Sequence, residues 1–133
     1  MHCVTTVRYF FLIKGKPRCY LTPSLGLRQG DPLLPYLFLL GAEGFSALLS
    51  SCLQTGSLPG ISVCSQAPAV NHLFFADDSI LYAEASLDAC NVIHEVIDIY
   101  SRTSDQVVNM NKSSIVFSKN VGTNVQELVS SVL

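Results

Sequence analysis

The pattern of apolar runs and turn residues predicts a β-hairpin near the start of the chain, followed by a loop. Residues 4 to 22 are rich in β-branched and aromatic side chains, and the run Lys-Gly-Lys-Pro at 14–17 is a turn signal. The next stretch, TPSLGLRQGDP at 22–32, holds two glycines and two prolines. Such a composition is typical of a loop rather than of a helix or strand.

A long apolar helix is predicted next, over about residues 32 to 53. Asp31 occupies the position of an N-cap, and Pro32 suits the first helical position, where a missing N–H does no harm. The helix is apolar on nearly every side, which predicts that it is buried on most sides. Its apolar run stops at Glu43, short of the roughly 20 residues that a membrane span needs, so we expect no membrane-spanning segment.

The second half of the chain alternates predicted strands and helices. We expect a short strand at 61–65, two strands at 72–76 and 79–83, and a helix that Ser86 caps and that runs to about Arg102. Two further short strands at 106–118 and a helix in the tail complete the prediction. Because antiparallel strand pairs dominate, the predicted fold class is α+β, in which helices pack on one face of an antiparallel sheet. We expect a single domain over residues 1–133.

The composition excludes a disordered chain. Hydrophobic residues make up 49% of the sequence and charged residues 14%, well below the roughly 25% of ordinary soluble domains. A surface so poor in charge is expected where a domain normally packs against a neighbour. The N-terminus lacks the basic and then apolar layout of a signal peptide, so we expect an intracellular protein.

The five cysteines are scattered and form no C-x-x-C pair, which argues against a disulfide framework and against a zinc finger. Cys90 and His94 lie four residues apart on a predicted helix, where they could place two metal ligands on one face. The simpler interpretation is a small core residue beside a half-exposed histidine, because two ligands do not make a metal site.

Charge is unevenly distributed along the sequence. Residues 1 to 30 contain five cations and no acid, whereas the remainder contains all ten acids. A basic N-terminal third could contact phosphates. On charge alone, however, a solvated hairpin with ordinary surface cations is the favoured interpretation.

Two adjacent acids, Asp77 and Asp78, separate the apolar runs HLFFA and SILYA. Two neighbouring carboxylates repel each other, and no Lys or Arg lies within twenty residues on either side to neutralise them. A divalent cation such as Mg²⁺, which prefers hard oxygen ligands, is the natural counter-charge. The alternative is a hairpin turn whose carboxylates are simply solvated.

Three motifs in order carry a resemblance to a known family. The stretch LFFADDSILYA resembles the catalytic palm hairpin of reverse transcriptases, in the F-A-D-D form of non-LTR (LINE-type) retrotransposons. GLRQGDPLLP at 26–35 matches nine of ten positions of that family's preceding motif, G-L-R-Q-G-D-P-L-S-P, and SDQVVNMNKSSIVFSKN is similar to its third. Together the three motifs extend over most of the chain, and the likeness is to plant-type elements.

The resemblance implies an RNA-directed DNA polymerase, which adds deoxynucleoside triphosphates to a DNA primer on an RNA template with two Mg²⁺ ions. It implies that Asp77 is a catalytic metal ligand and that Asp78 is the neighbouring catalytic carboxylate, which either binds the metal more weakly or supports the ligands from behind. It also implies that Lys112 lies near the leaving pyrophosphate, with an ordinary surface lysine in a turn as the equal alternative. It also implies a loop that contacts the template and the incoming nucleotide, through Gly26, Arg28, Gln29 and Gly30.

The match is incomplete. Two-metal chemistry needs a carboxylate from a second strand, which the family supplies from an earlier motif, D-x-x-x-A-[FY]-D, and the first acid of this chain is Asp31. Leu34 and Asp105 replace a usual serine and glycine. We therefore expect a partial palm that lacks the fingers, the first metal motif and the thumb, with those missing parts as partners, and that does not extend a primer by itself.

Two alternatives remain open at the level of the sequence. A non-enzymatic relic or domesticated binding module would use the apolar helix to hold a partner. A signalling receiver domain also uses an acidic pair, Mg²⁺ and a distant lysine, but it is built on a parallel sheet and places the pair after its first strand.

Overall fold

The computed structural model describes residues 8–22, 30, 32–104 and 106–132. The chain divides into two compact units, residues 1–39 and 40–133. The described elements, in chain order, are β1 (Tyr9–Ile13), β2 (Lys16–Leu21), α1 (Leu34–Thr55), β3 (His72–Phe75), β4 (Asp78–Leu81), α2 (Leu87–Ser104), a 3₁₀ turn (Met110–Lys112) and α3 (Thr123–Ser130). Helices and antiparallel strand pairs are mixed, so the α+β class is confirmed.

Strands β1 and β2 form the predicted N-terminal hairpin, in a ladder from Tyr9↔Leu21 to Ile13↔Lys16. The two turn residues, Lys14 and Gly15, have φ of 51° and 72°. Positive φ at both positions is the signature of a type I′ turn, whose twist suits an antiparallel ribbon. Cys19, with φ of 54°, is the extra residue where the register shifts, which makes it a β-bulge.

The prediction of one antiparallel sheet is wrong for the described residues. There β1–β2 and β3–β4 form two separate two-stranded sheets. The expected strand at 61–65 is reduced to an isolated bridge between Ile61 and Val70.

The two strands expected at 106–118 are also absent, and a 3₁₀ turn stands in their place. Local hydrogen bonds explain the difference: the Ser113 hydroxyl donates to the Asn109 carbonyl at 3.0 Å, and the Ser113 N–H donates to the Met110 carbonyl at 3.2 Å. Serine and asparagine often satisfy the backbone in this way in place of a strand ladder.

Helix α1 forms at the predicted place, two residues later than expected at each end. Its expected burial on most sides is wrong, because Leu49 is its only fully buried residue and Tyr36, Leu39 and Leu40 are 67%, 61% and 70% exposed. The helix is covered on one face only. The proposed N-cap, Asp31, lies outside the described residues.

By length and composition α1 is also a helix that could cross a membrane, in contrast to the expectation that the chain has no such segment. The apolar run resumes after Glu43, and the helix continues to Thr55. The core helix of a soluble protein passes the same test. Here the covered face of α1, around Leu49, contributes to a protein core.

That core belongs to the unit of residues 40–133. Its centre is Leu49, Leu58, Ala89 and Val96, with partly buried side chains from α1, β3, β4 and α2 around it. Helix α2 begins as predicted, because the Ser86 hydroxyl oxygen accepts the Ala89 N–H at 3.2 Å as an N-cap. The amphipathic α2 therefore supplies the second wall of the core, beneath the β3–β4 hairpin.

The C-terminal helix is also confirmed, as α3, with Val129 buried. Cys90 is buried on α2, whereas His94 is exposed and its Nε2 contacts the Val132 carbonyl at 2.8 Å. Cys90 is thus a small core residue, as the simpler interpretation of this pair expected.

Candidate functional site

The acidic pair lies at the tip of a short antiparallel hairpin, where the sequence predicted it. The ladder runs from His72↔Leu81 to Phe75↔Asp78, so Ala76 and Asp77 are the two turn residues. Ala76 has φ of 52°, a left-handed value that is unfavourable for a residue with a Cβ. The tight turn places Asp77 at the tip and Asp78 at the first ladder position after it.

The two faces of this hairpin differ sharply. His72 and Phe74 are half-buried, whereas Leu73 and Phe75 on the alternate face are 53% and 80% exposed. Asp78 lies directly opposite Phe75 in the ladder, and opposed residues project to the same side of a sheet. Asp78 therefore belongs to the open face, while the helices cover the other one.

The Asp77 and Asp78 side chains are both exposed to solvent. Within the described part of the chain, the one ion pair joins Arg102 to Asp98, and neither Asp77 nor Asp78 contributes its side chain to a hydrogen bond. Among the same residues, no group of three or more His, Cys, Asp or Glu side chains could hold a metal ion. The tip thus offers two hard oxygen ligands and needs further ligands from elsewhere.

A series of side-chain hydrogen bonds anchors the base of the hairpin to α1. Asn71 is 1% exposed, and its Nδ2 donates to the Leu49 carbonyl at 2.6 Å and lies 3.4 Å from that of Leu58. Its Oδ1 is then the acceptor for His72 Nδ1, at 2.8 Å. His72 therefore carries its proton on Nδ1, and its Nε2 accepts the hydroxyl of Ser46 at 2.8 Å.

Aromatic contacts secure the same face. Phe74 stacks on Phe45 of α1 with ring centroids 5.4 Å apart, and Phe45 stacks on Tyr100 of α2 at 4.6 Å. His72 lies 5.0 Å from Phe74 in a tilted arrangement. Strand β3 is consequently held on α1, which in turn packs on α2, and this base determines where the acidic tip projects.

The order Ser46, His72, Asn71 resembles that of a nucleophile, its base and the group that orients the base. Ser46, however, lies in the interior of α1, where the surrounding backbone N–H groups donate within the helix and cannot stabilise an oxyanion. We therefore assign the chain of hydrogen bonds to anchoring. The sequence pattern did not predict this chain of hydrogen bonds, although the polar Asn71-His72 pair at the start of an apolar strand was a visible signal.

Burial lowers the pKa of His72 below 6.5. The unfolded chain then binds a proton at this site at higher pH than the folded chain does. The contribution of His72 to the free energy of unfolding should be complete above pH 6.5 and should decrease as the pH falls from 6.5 through the lowered pKa. NMR titration of the His72 ring in the folded chain, compared with the chain in urea, measures the shift.

A His72 ring that titrates at 6.5 or above in the folded parent chain would contradict this prediction. It would show that the contacts of the ring with Ser46 and Phe74 do not desolvate it.

Of the other predicted site residues, only Gly30 and Lys112 are among those that the structure describes. Gly26, Arg28 and Gln29 lie outside the described residues, and Gly30 is a turn residue with φ of 81°. Lys112 is exposed in the 3₁₀ turn and forms no ion pair with either aspartate. Within the unit of residues 40–133, the structure brings together Asp77 and Asp78 and leaves Lys112 without an ion pair to either of them.

Comparison with known proteins shows a similarity to a plant protein. The chain is 54% identical over 69 residues to an uncharacterized mitochondrial protein of Arabidopsis thaliana, an alignment that covers 52% of this chain and 57% of the relative. The chain thus spans a little over half the length of that relative. No protein-family model matches the chain, and no solved structure does.

Proposed function

We propose that this chain is the part of a reverse-transcriptase palm that presents the paired aspartates, from an RNA-directed DNA polymerase of a non-LTR retrotransposon. In the full enzyme the chemistry is transfer of a nucleotide to the end of a DNA primer on an RNA template. The mitochondrial label of the Arabidopsis relative favours an intracellular location.

One observation supports the proposal above the others: the acidic tip stands on the open face of a hairpin whose opposite face is packed on two helices. Phe74 on the covered face stacks on Phe45, while Asp78 and Phe75 share the uncovered face. A catalytic carboxylate must be rigidly held and still open to substrate, and this arrangement meets both requirements.

The donor set suits Mg²⁺, which takes carboxylate oxygens together with waters and substrate phosphates. Asp77 and Asp78 would hold the ion. When bound, it would stabilise the charge that develops on the transferred phosphoryl group. Asp77 and Asp78 supply only part of its ligand shell, so the remaining ligands are proposed to come from the missing motif and from substrate.

Neither alternative has comparable support. The described strands pair only in the antiparallel sense, whereas a receiver domain needs a parallel sheet. A domesticated binding module is compatible with the exposed apolar side of α1. The two remaining hypotheses differ in one property, since only the polymerase needs a cation at the acidic tip.

Titration with Mn²⁺, a paramagnetic substitute for Mg²⁺, tests the proposal. We expect selective broadening of the amide signals of Ala76, Asp77 and Asp78 in the NMR spectrum of the full chain, and reversal by excess Mg²⁺. Because the carboxylates supply the ligands, Asp77→Asn and Asp78→Asn should each weaken the effect, and the double variant should abolish it.

Glu84→Gln is the matched control for these variants. Glu84 is exposed, close in sequence and hydrogen-bonded only through its backbone carbonyl, so its loss should leave the broadening at the tip unchanged. Broadening that persists in the folded double variant, or that spreads evenly over all exposed carboxylates, would favour the binding module over the polymerase.

A further inference from the structure

The β1–β2 hairpin carries a surface that the acidic tip does not explain. Its register places Arg18 opposite Phe11 and Lys16 opposite Ile13, while Tyr9 and Leu21 form the last pair on the same side. We call this side, Tyr9, Phe11, Ile13, Lys16, Arg18 and Leu21, the basic face. It combines two aromatic rings with two cations in one row.

The basic face is open. Phe11, Ile13 and Leu21 are 60%, 57% and 52% exposed, and both cations are exposed as well. Within the described residues, neither Lys16 nor Arg18 forms an ion pair. A row of exposed apolar side chains is unfavourable in water, and a patch of this kind is typical of a surface that binds a partner. The unpaired cations beside it favour an anionic partner.

The other side of the hairpin has a different character. Phe10 and Tyr20 contact each other with ring centroids 6.4 Å apart, and Leu12 and Pro17 continue that side. Its pairs in the ladder carry no charge. The two sides of the hairpin can therefore be compared in one experiment. Both carry aromatic rings, but only the basic face has Lys16 and Arg18 beside them.

We propose that the basic face binds single-stranded nucleic acid, with phosphates on Lys16 and Arg18 and a base stacked on Phe11. Proteins that bind single strands without sequence preference use this combination, since cations follow the backbone and every base has a flat face that can stack. The charge of the region is complementary to such a partner, because residues 1 to 30 contain five cations and no acid.

The inference extends the proposed function, because a polymerase palm needs nucleic acid beside it, but it depends on separate residues. The Asp77→Asn/Asp78→Asn double variant should therefore bind single strands in EDTA as well as the parent chain does. Loss of Mn²⁺ binding and loss of nucleic-acid binding are then independent results, and either proposal can fail without the other.

Fluorescence anisotropy with labelled uridine and thymidine oligonucleotides of about 16 nucleotides tests the basic face on the full chain. Phe11→Ala should weaken binding about 5-fold or more, through the lost stacking. The Lys16→Gln/Arg18→Gln variant should weaken it and should reduce the slope of log K against log salt by about 1.4, since two phosphate contacts are removed.

Matched controls separate recognition from general effects. Phe10→Ala removes a ring from the opposite side, and Arg102→Gln/Lys119→Gln makes the same change in net charge outside the hairpin. Neither should weaken binding by more than about 2-fold, with folding followed by circular dichroism. Equal losses in test and control variants would overturn the proposal.

Two other outcomes also contradict it. One is the absence of binding to either oligonucleotide at low salt. The other is a preference for vesicles of phosphatidylserine that Phe11→Ala abolishes while oligonucleotide binding is unchanged, which would identify the basic face as a membrane contact.

Discussion

Replacing Asp77 by asparagine should reduce primer extension about 1000-fold or more when the hairpin is placed in an active polymerase. The test transfers residues 71–82 of this chain into the equivalent hairpin of a working non-LTR reverse transcriptase. Because the host supplies the second-strand carboxylate, the transferred hairpin should support extension. Loss of a metal ligand removes several kcal/mol of transition-state stabilisation, and each 1.36 kcal/mol is a factor of ten in rate.

The structure defines where the transferred segment should begin and end. The Tyr82 N–H donates to the Asn71 carbonyl at 2.8 Å, directly below the first ladder pair, His72↔Leu81. The two ends of the segment are therefore held together by its own hydrogen bonds. The transferred segment therefore keeps its own ladder register in the graft.

Ser79→Ala in the same graft is the control, because Ser79 is exposed, lies in β4 and has no proposed role in metal binding. Its extension rate should remain within a few fold of the unmodified graft. Extension that continues undiminished with asparagine at 77 would remove the assignment of this aspartate as a metal ligand. A folded graft with no extension at all would contradict the likeness of this hairpin to a palm.

Local structure was predictable where the residues that determine it all lie in one short segment. The β1–β2 hairpin follows from Gly15 between two β-rich runs, and α2 follows from a serine cap followed by apolar residues at helical spacing. The acidic turn was predictable for the same reason, because Asp77 and Asp78 separate two short apolar runs.

Features that depend on distant residues were not predictable. The contacts of Asn71 with Leu49 and of His72 with Ser46 join residues 22 and 26 positions apart, and a one-dimensional pattern does not encode that proximity. The burial of α1 was overestimated for a related reason. A helix that is apolar on nearly every side indicates that most of its sides should be covered, but Leu39 and Leu40 remain exposed in the folded chain.

Replacing Gly60 by alanine should destabilise the chain by about 3 kcal/mol. Gly60 has φ of 70°, a conformation that L side chains rarely adopt, and an added Cβ would lie 2.5 Å from the Val70 carbonyl oxygen and 2.8 Å from the Asn71 nitrogen. The left-handed conformation costs about 1–2 kcal/mol, and the clash with backbone atoms adds a similar amount. Urea unfolding, with the transition followed by circular dichroism, measures the sum.

Two other glycines serve as comparisons for the loss of stability in Gly60→Ala. Gly56 ends α1 with φ of 77°, but an added Cβ there meets nothing within 4 Å, so Gly56→Ala should show the conformational cost alone, about 1 kcal/mol. Gly44 lies within α1 with open space around it, and Gly44→Ala should stabilise the chain by about 1 kcal/mol. Equal losses in the free energy of unfolding for Gly56→Ala and Gly60→Ala would show that the contact between Gly60 and Val70 is not tight.

The Gly60→Ala substitution also tests whether the contact of Gly60 with Val70 and Asn71 affects the acidic hairpin. Relief of the clash is expected to separate residue 60 from Val70 and Asn71, and the Asn71 side chain is hydrogen-bonded to the half-buried His72 ring. In Gly60→Ala the pKa of His72 should therefore return toward 6.5, whereas Gly56→Ala should leave it lowered. A destabilised Gly60→Ala chain with an unchanged His72 titration would show that the hairpin is anchored through β3 and Phe74 rather than through Asn71.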